Sequence, residues 1–538
     1  MRKTILLFTI FLTIGSGQNG AKYLIITHDN FYDAILPLAQ WKHKKGVPTK
    51  VVKLSDLNAT PESIARIKNY IVNAYNTWSP RPEYILLVGG PQFIRSNQNK
   101  YDDYFSDVSG NYLMELSVGR FPCSTATQCS VMVNKTLSYE RTTFLSDTLW
   151  YKKGTGIVRE DGAEHPDTVY WNNIRYVFSL WQSAGYTHID SFSKFRGDSA
   201  RHVESAITDG RAIVVFRGQG VANWWSPFEI NVNRINNGYK LPIIVSGTCA
   251  TINLAPNTPS YLGENFLKAG STTTPKGAVG FVGSTNTESS TGLAVLRGVV
   301  AINFIKAIFA EQIYKIGDAL KRAKFILDSL QLPNYTIIRY REWNLLGDPE
   351  LSCWTDVPKQ LTVTYDSVIG TGLQTFTVNV QQNTNPVPNA LVCIMQDTLI
   401  YQSDYTNNFG QVSFSINPQT IGSMSLTVTA HNYCPYEGTV RIYLSGLKEN
   451  STKLENKLGS IKIYPNPCQN IVEISYSPSL TPNPKIKFFD IQGRIINAPI
   501  KLFTDRRILI NTAKLPTGIY FVVLKNNNQA LIGRLVKH

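Results

Sequence analysis

No two of the seven cysteines (positions 123, 129, 249, 353, 393, 434 and 468) stand in a CxxC pair, so the spacing that a thiolate zinc site needs is missing. Their odd number leaves at least one thiol without a partner inside the chain. No low-complexity tract argues for a large disordered region. After the first 20 residues, no segment reads as long enough to cross a bilayer, which takes about 20 apolar residues. Dense basic clusters are also missing. The net charge is +15, yet Lys and Arg are spread along the chain with only short groups such as Lys42 to Lys45. That is how a solvated surface looks, and no nucleic-acid partner is expected. Asp102, Asp103 and Asp107 gather hard oxygen ligands in a Tyr-rich loop without EF-hand spacing, which leaves calcium open as a structural ion; no cofactor is required.

What is present begins with an export signal. Arg2 and Lys3 precede the apolar run Ile5 to Ile14 and the small residues Gly15, Ser16 and Gly17, so residues 1–17 read as a signal peptide, its apolar run too short for an anchor. At 538 residues the chain exceeds what one hydrophobic core supports. Apolar strand-like runs at Tyr23 to Thr27, Thr49 to Leu54 and Tyr84 to Val88 alternate with helical periodicity at Phe31 to Lys45 and Pro61 to Trp78. The pattern restarts at Gly154 to Val158, with a helix at Tyr170 to Ala184 and strands at Ala212 to Phe216, Leu241 to Ser246 and Ala278 to Gly283. This grammar predicts two side-by-side α/β units, residues 21–150 and 151–355, each a parallel sheet covered by helices. Residues 360–446 alternate apolar and polar side chains and predict an antiparallel sandwich. A polar linker, 447–459, leads to a second small β unit at 460–538.

Reactive groups in open α/β sheets collect beyond the carboxyl ends of strands. Two segments fit: Phe216-Arg-Gly-Gln-Gly220 and Ser246-Gly-Thr-Cys249. On neighbouring strands, Cys249 and the turn Gly218 to Gly220 face one crevice. A thiolate nucleophile there gains from nearby backbone amides, which also hold an oxyanion. On residues alone, a buried structural cysteine remains the competing reading.

The segments Tyr84-Ile-Leu-Leu-Val-Gly-Gly90, Val118-Gly-Arg-Phe-Pro122, Tyr139-Glu-Arg141, Phe216-Arg-Gly-Gln-Gly220, Leu241-Pro-Ile-Ile-Val-Ser-Gly-Thr-Cys249 and Asn344-Leu-Leu-Gly-Asp-Pro349 fall in the order seen in the gingipain family of cysteine peptidases, which residues 21–355 resemble. The resemblance implies a caspase-like α/β fold with a histidine–cysteine dyad, amides at Gly218 and Gly220 as oxyanion donors, and a protein or peptide substrate. Cys249 matches the nucleophile. Gln219 stands where the family keeps its histidine, and a glutamine cannot exchange a proton. His165, in the loop Arg159 to Asp167, is the substitute base to consider. His28 belongs to the other α/β unit, and His188 and His202 read as surface residues. Trp224 and Trp225 are candidate walls of a substrate pocket, and Glu160 and Asp161 candidate acids to orient a base or read a basic side chain. Active members of the family usually carry an inhibitory leader, and the first strand here starts almost at the signal cleavage point.

The terminal segment carries Ile463-Tyr-Pro-Asn-Pro467, Phe488-Phe-Asp-Ile-Gln-Gly-Arg494, Leu515-Pro-Thr-Gly-Ile-Tyr520 and Gly533-Arg-Leu-Val-Lys537. In this order they resemble the type IX secretion system sorting domain. That resemblance implies passage through the periplasm, recognition of residues 460–538 by the secretion machinery, and a secreted or outer-membrane-anchored product. The sandwich at 360–446 resembles the immunoglobulin-like module that follows gingipain catalytic domains, with Cys393 and Cys434 as a candidate bridge. Two functions follow: a secreted cysteine endopeptidase, or a catalytically inactive binding or structural protein of the same fold.

Overall fold

The computed structural model describes residues 20–141, 147–160, 162, 164–332, 335, 337–397, 399–444, 461–476, 484–490, 494–504, 506–525 and 530–538. The signal segment 1–17 and the linker 447–459 lie outside them. The chain forms two compact units, one reaching to Val368 and including Gly372–Ile442, the other containing Ile369–Thr371 and Tyr443–His538.

Ahead of the sandwich, the strands of the first unit are β1 (Tyr23–Thr27), β2 (Thr49–Lys53), β3 (Tyr84–Val88), β4 (Ser117–Phe121), β5 (Lys153–Val158), β6 (His188–Ser193), β7 (Ile213–Arg217), β8 (Gly220–Val221), β9 (Trp224–Trp225), β10 (Phe228–Glu229), β11 (Ile243–Ala250), β12 (Gly280–Ser284) and β13 (Trp343–Leu346). Ten of them make one sheet in the order β2-β1-β3-β4-β13-β12-β11-β7-β5-β6. The two expected α/β units are thus two halves of one sheet. β2-β1-β3-β4 pair in parallel, as do β12-β11-β7-β5-β6. β13 runs antiparallel to β12 and touches β4 through Leu346 beside Arg120.

The helices are α1 (Tyr32–Lys44), α2 (Ile64–Thr77), α3 (Ala126–Arg141), α4 (Glu164–Ser183), α5 (Ala200–Asp209), α6 (Leu262–Lys268), α7 (Thr291–Phe309), α8 (Ile316–Ser329) and α9 (Ile337–Arg341). They cover both faces of the sheet, which explains why its central strands read as unbroken Val/Ile runs. Ile213 and Val215 of β7 pack toward Val300, Phe304 and Leu320, while Val214 and Phe216 pack toward Val203 and Phe266; successive residues of a strand point to opposite faces. One sequence expectation needs correction here. Residues Gly292–Phe309 are long and apolar enough to cross a membrane by length and composition. In the fold they form α7, a core helix packed against α4, α8 and β11.

A buried ionic cluster ties the half-sheets together where β13 ends. Lys42 of α1 places Nζ 2.8 Å from Glu140, 2.5 Å from Asp348 and 2.6 Å from Glu350, all nearly inaccessible. Three such carboxylates make a plausible cation site, but the Lys42 ammonium already stands at its centre. Burial alone lowers the affinity of Lys42 for its proton; Asp348, Glu140 and Glu350 outweigh burial and raise its pKa well above the ordinary value.

The immunoglobulin-like module follows as two antiparallel sheets. Gln411–Ile416 alternates exposed and buried residues along its whole length, as the sequence pattern requires. All seven cysteines are buried, and no disulfide joins any two of them. Cys393 and Cys434 therefore form no bridge: Cys393 lies in the register of Thr427 and Ser403, and Cys434 accepts a hydrogen bond from Gln360 at 3.3 Å. Among the described residues, the second unit is a small β-sandwich of two four-stranded sheets around Val472, Ile474, Val522, Leu524 and Leu535.

Candidate functional site

β7 and β11 are neighbours, so their carboxyl ends meet as the sequence anticipates. β11 runs four residues beyond the expected Ser246, with a register irregularity between Ser246 and Ala250 against β12. Bulges of this kind bend a strand and re-aim its side chains, and Cys249 sits inside the irregular stretch. The turn Gly218-Gln219-Gly220 leaves β7 and enters the hairpin β8–β9. The Gln219 carbonyl accepts the Ser226 N–H at 2.9 Å, and the Ala222 N–H donates to the Ala250 carbonyl at 2.8 Å, closing the hairpin onto β11. The Thr248 hydroxyl reaches the Gly220 carbonyl at 3.5 Å. A Cβ on Gly220 would lie 2.4 Å from the Trp224 carbonyl oxygen, and one on Gly218 2.5 Å from Arg159 Cβ. Glycine is required at both for the hairpin to lie this close.

Cys249 is 6 % exposed. Its Sγ accepts a hydrogen bond from Arg297 Nη1 at 3.1 Å and donates to the Glu288 carbonyl at 3.4 Å. Arg297 projects from α7, with Nε 3.0 Å from Glu342 Oε1 and Nη2 3.3 Å from the Asn286 carbonyl. Arg339 Nη1 donates to the other Glu342 oxygen at 3.1 Å and its Nη2 pairs with the Glu288 carboxylate. That carboxylate is held below the usual range by the Arg339 hydrogen bond and charge. A second guanidinium, Arg217 at the end of β7, is fully buried. It donates to Asn173 at 2.8 Å, to the Ala294 carbonyl at 2.6 Å and to the Gly247 carbonyl, under the Tyr170 ring at 5.3 Å. Burial brings its pKa down to about 10. Both arginines escaped the sequence reading. Arg297 had a signal, because it is a charge inside the apolar stretch Leu293 to Ile305, where only a paired charge is tolerated.

The other candidates fare differently. α4 starts at Glu164, so His165 lies in its first turn and not in a loop; its side chain is outside the described residues, as is Asp161. Glu160 is half-buried and accepts a hydrogen bond from Ser193. Trp225 is fully buried, stacked on Phe216 at 5.1 Å, with its indole N–H on Ser246 at 2.8 Å. It is packing beneath the turn and walls no pocket; Trp224 is 44 % exposed. His28 caps the turn that follows β1, accepting the Asn30 N–H at 3.2 Å, and packs on Phe93, five strand positions from β11, about 24 Å at ~4.8 Å per strand. Of the residues expected to offer calcium ligands, Asp102 pairs with Arg120 at 2.7 Å, Asp103 with Lys324 at 2.9 Å and Asp107 with Arg341 at 3.5 Å, so each carboxylate faces a cation. A cleft of about 750 Å³ opens between Lys22, Tyr84, Tyr314 and the sandwich residues Tyr405 and His431; it contains neither Cys249 nor Gln219.

Comparison with known proteins agrees with this geometry. The chain is 22 % identical over 446 residues to Gingipain R2 of Porphyromonas gingivalis, covering 79 % of this chain and 57 % of that protein. It is 22 % identical over 454 residues to a Lys-gingipain of the same organism, of which it spans 25 %. The crystal structure of the Arg-specific cysteine proteinase gingipain R superposes with a TM-score of 0.70 at 19 % identity, covering 80 % of this chain and all of that one. The complex of Porphyromonas gingivalis RgpB pro- and mature domains gives a TM-score of 0.69 at 20 % identity, covering 78 % and 100 %. The chain spans little more than half the length of the first of these curated relatives. Residues 462–538 match the secretion system C-terminal sorting domain, which is the type IX sorting domain and indicates secretion and a cell-surface location. Residues 16–354, more than half of its length, match the model of peptidase family C25, and the chain belongs to that family of gingipain-like cysteine peptidases.

Proposed function

We propose that the chain is a secreted or surface-attached cysteine endopeptidase in which Cys249 attacks a peptide carbonyl. Delivery through the type IX machinery and outer-membrane anchoring by way of residues 460–538 belong to the same reading. The observation that carries it is the placement of Cys249 on the irregular end of β11, beside the glycine-flanked turn and against a buried guanidinium. The amides around Gly218, Gly220 and Cys249 are the oxyanion donors in this reading. Gln219 supplies no proton to a leaving amine, and His165 is the remaining candidate for that step. The second reading, a non-catalytic binding protein, draws on the same Gln219 and on the Glu288 carbonyl that covers the sulfur.

Peptide libraries incubated with the purified protein, Cys249→Ala and Gln219→His separate the two. The endopeptidase reading expects cleavage that Cys249→Ala abolishes and that Gln219→His raises by about 10²-fold in kcat, the range of general acid–base catalysis. Cleavage by neither the natural protein nor Gln219→His, with retained peptide binding, establishes the non-catalytic reading.

A further inference from the structure

Cys249 is packed against a fixed cation and not an imidazole. Three of the Arg297 nitrogens are committed: Nη1 to the sulfur, Nε to Glu342 and Nη2 to the Asn286 carbonyl. Glu342 is itself clamped by Arg339. Arg297 is 3 % exposed, so its guanidinium cannot swing away to solvent, and its N–H vector toward Sγ is set by the carboxylate behind it. A charge-assisted donor aimed at sulfur stabilises the negative charge that develops when the thiol gives up its proton. The Glu288 carbonyl, which receives the S–H at 3.4 Å, belongs to residues 285–290, of which 287–290 are exposed. That segment has to yield when an acyl group approaches.

The geometry points to Arg297 as the positioning residue that readies Cys249 as a nucleophile without an imidazole at 219, for acyl transfer from esters and thioesters whose leaving group departs without a proton. This rests on the reading of Cys249 as nucleophile. The Cys249 proton passes to solvent. The thiolate attacks the acyl carbon, a C–S bond forms, the bond from that carbon to the leaving oxygen or sulfur breaks, and the electron pair departs on the leaving atom. Water then adds to the thioester, the C–S bond breaks, the sulfur leaves as the Cys249 thiol with one proton of that water, and the acid product loses the other to solvent. An amide cannot follow this path at the same rate, because its leaving nitrogen must be protonated and Gln219 has no proton to exchange.

The test uses the full chain with a p-nitrophenyl ester and the matching p-nitroanilide. The natural protein is expected to give a stoichiometric p-nitrophenolate burst, with the anilide at least a hundredfold slower. Arg297→Gln is expected to slow the burst at least tenfold, and Arg297→Lys to recover part of it. Since Arg297→Gln leaves Glu342 with Arg339 as its remaining cation, the double variant Arg297→Gln/Glu342→Gln, which removes both charges, is read beside it. Gln219→His is expected to speed the anilide by a larger factor than it changes the ester burst. A burst that survives Cys249→Ala overturns the nucleophile reading itself. A burst that needs Cys249 yet is unchanged in Arg297→Gln or the double variant overturns the role of Arg297 alone. Equal ester and anilide rates in the natural protein overturn the substrate class, even if no variant folds.

Discussion

Trp225 and Arg297 show how far a residue's role depends on what the fold folds over it. Two adjacent tryptophans after a glycine turn suggest a pocket, but hairpin β8–β9 turns one of them inward, where its indole N–H finds Ser246 and its ring stacks on Phe216. Trp225→Ala is expected to cost about 3–5 kcal/mol, read as a fall in the chemical denaturation midpoint; Trp224→Ala, half out in solvent, is expected to shift it little. Should Trp225→Ala leave stability intact while raising the KM for peptides, the packing assignment fails. Cys249 and Gln219 were legible because each stands in a short motif at a strand end. Arg297 shows in the sequence only as a charge in an apolar run; its partner does not, because Arg297 lies 48 residues downstream of Cys249 and reaches it only when α7 packs along β11.

Among the elements, strands written as apolar runs were legible, the edge strand β2 among them, whereas the edge strand β6 and the central β4 and β13 were not. Runs such as Tyr23–Thr27 and Ile213–Arg217 are buried on both faces, so burial writes an unbroken apolar word into the sequence. β6 is an edge strand with an exposed or half-buried surface along most of its length, and His-Ile-Asp-Ser-Phe-Ser carries no comparable signal. The start of α4 was misplaced because His165-Pro166 reads as a loop, whereas Pro is tolerated in the first turn of a helix. The joint between the half-sheets was not legible as a contact either: Lys42, Glu140, Asp348 and Glu350 come from three distant stretches, although Tyr139-Glu-Arg141 and Asn344 to Pro349 stand out as motifs. Lys42→Met leaves those carboxylates with one cation fewer in a site closed to water. Breaking such a buried pair costs about 3–5 kcal/mol, so thermal unfolding is expected to move down sharply, while Lys42→Met with Glu140→Gln and Asp348→Asn recovers part of the loss. Equal losses in the single and triple variants would assign the effect to packing, not charge.

At the scale of the first unit, two histidines hold the immunoglobulin-like module to the α/β sheet, and both are kept neutral. His43 of α1 stacks on Tyr401 of the sandwich at 4.1 Å. His431 of the sandwich stacks on Tyr314 at 3.3 Å, with Nε2 2.8 Å from the Thr355 hydroxyl. Burial lowers the pKa of His43 to about 4, and burial with nearby Lys315 lowers that of His431 to about 3. The unfolded chain takes up both protons near the ordinary 6.5, while the folded chain refuses them until far lower. Stability from these two groups is therefore complete above pH 6.5 and declines as pH falls toward 4 and 3, by on the order of 2 kcal/mol for each histidine at pH 5. Glu264 works against this slope: burial pushes its carboxyl up to about 7, so its protonated form favours the fold at low pH, and that contribution fades as pH rises from 4.5 to 7. The histidine effect is isolated by comparing the natural protein with His43→Phe and His431→Phe at each pH, because Glu264 cancels in the difference. Across pH 7.5 to 5, both variants are expected to lose less denaturation midpoint than the natural protein, and the double variant least. Parallel profiles for all four proteins would mean that the sandwich is held by contacts indifferent to protonation, with the Glu437 pairs to Lys44 and Arg141 the next to remove.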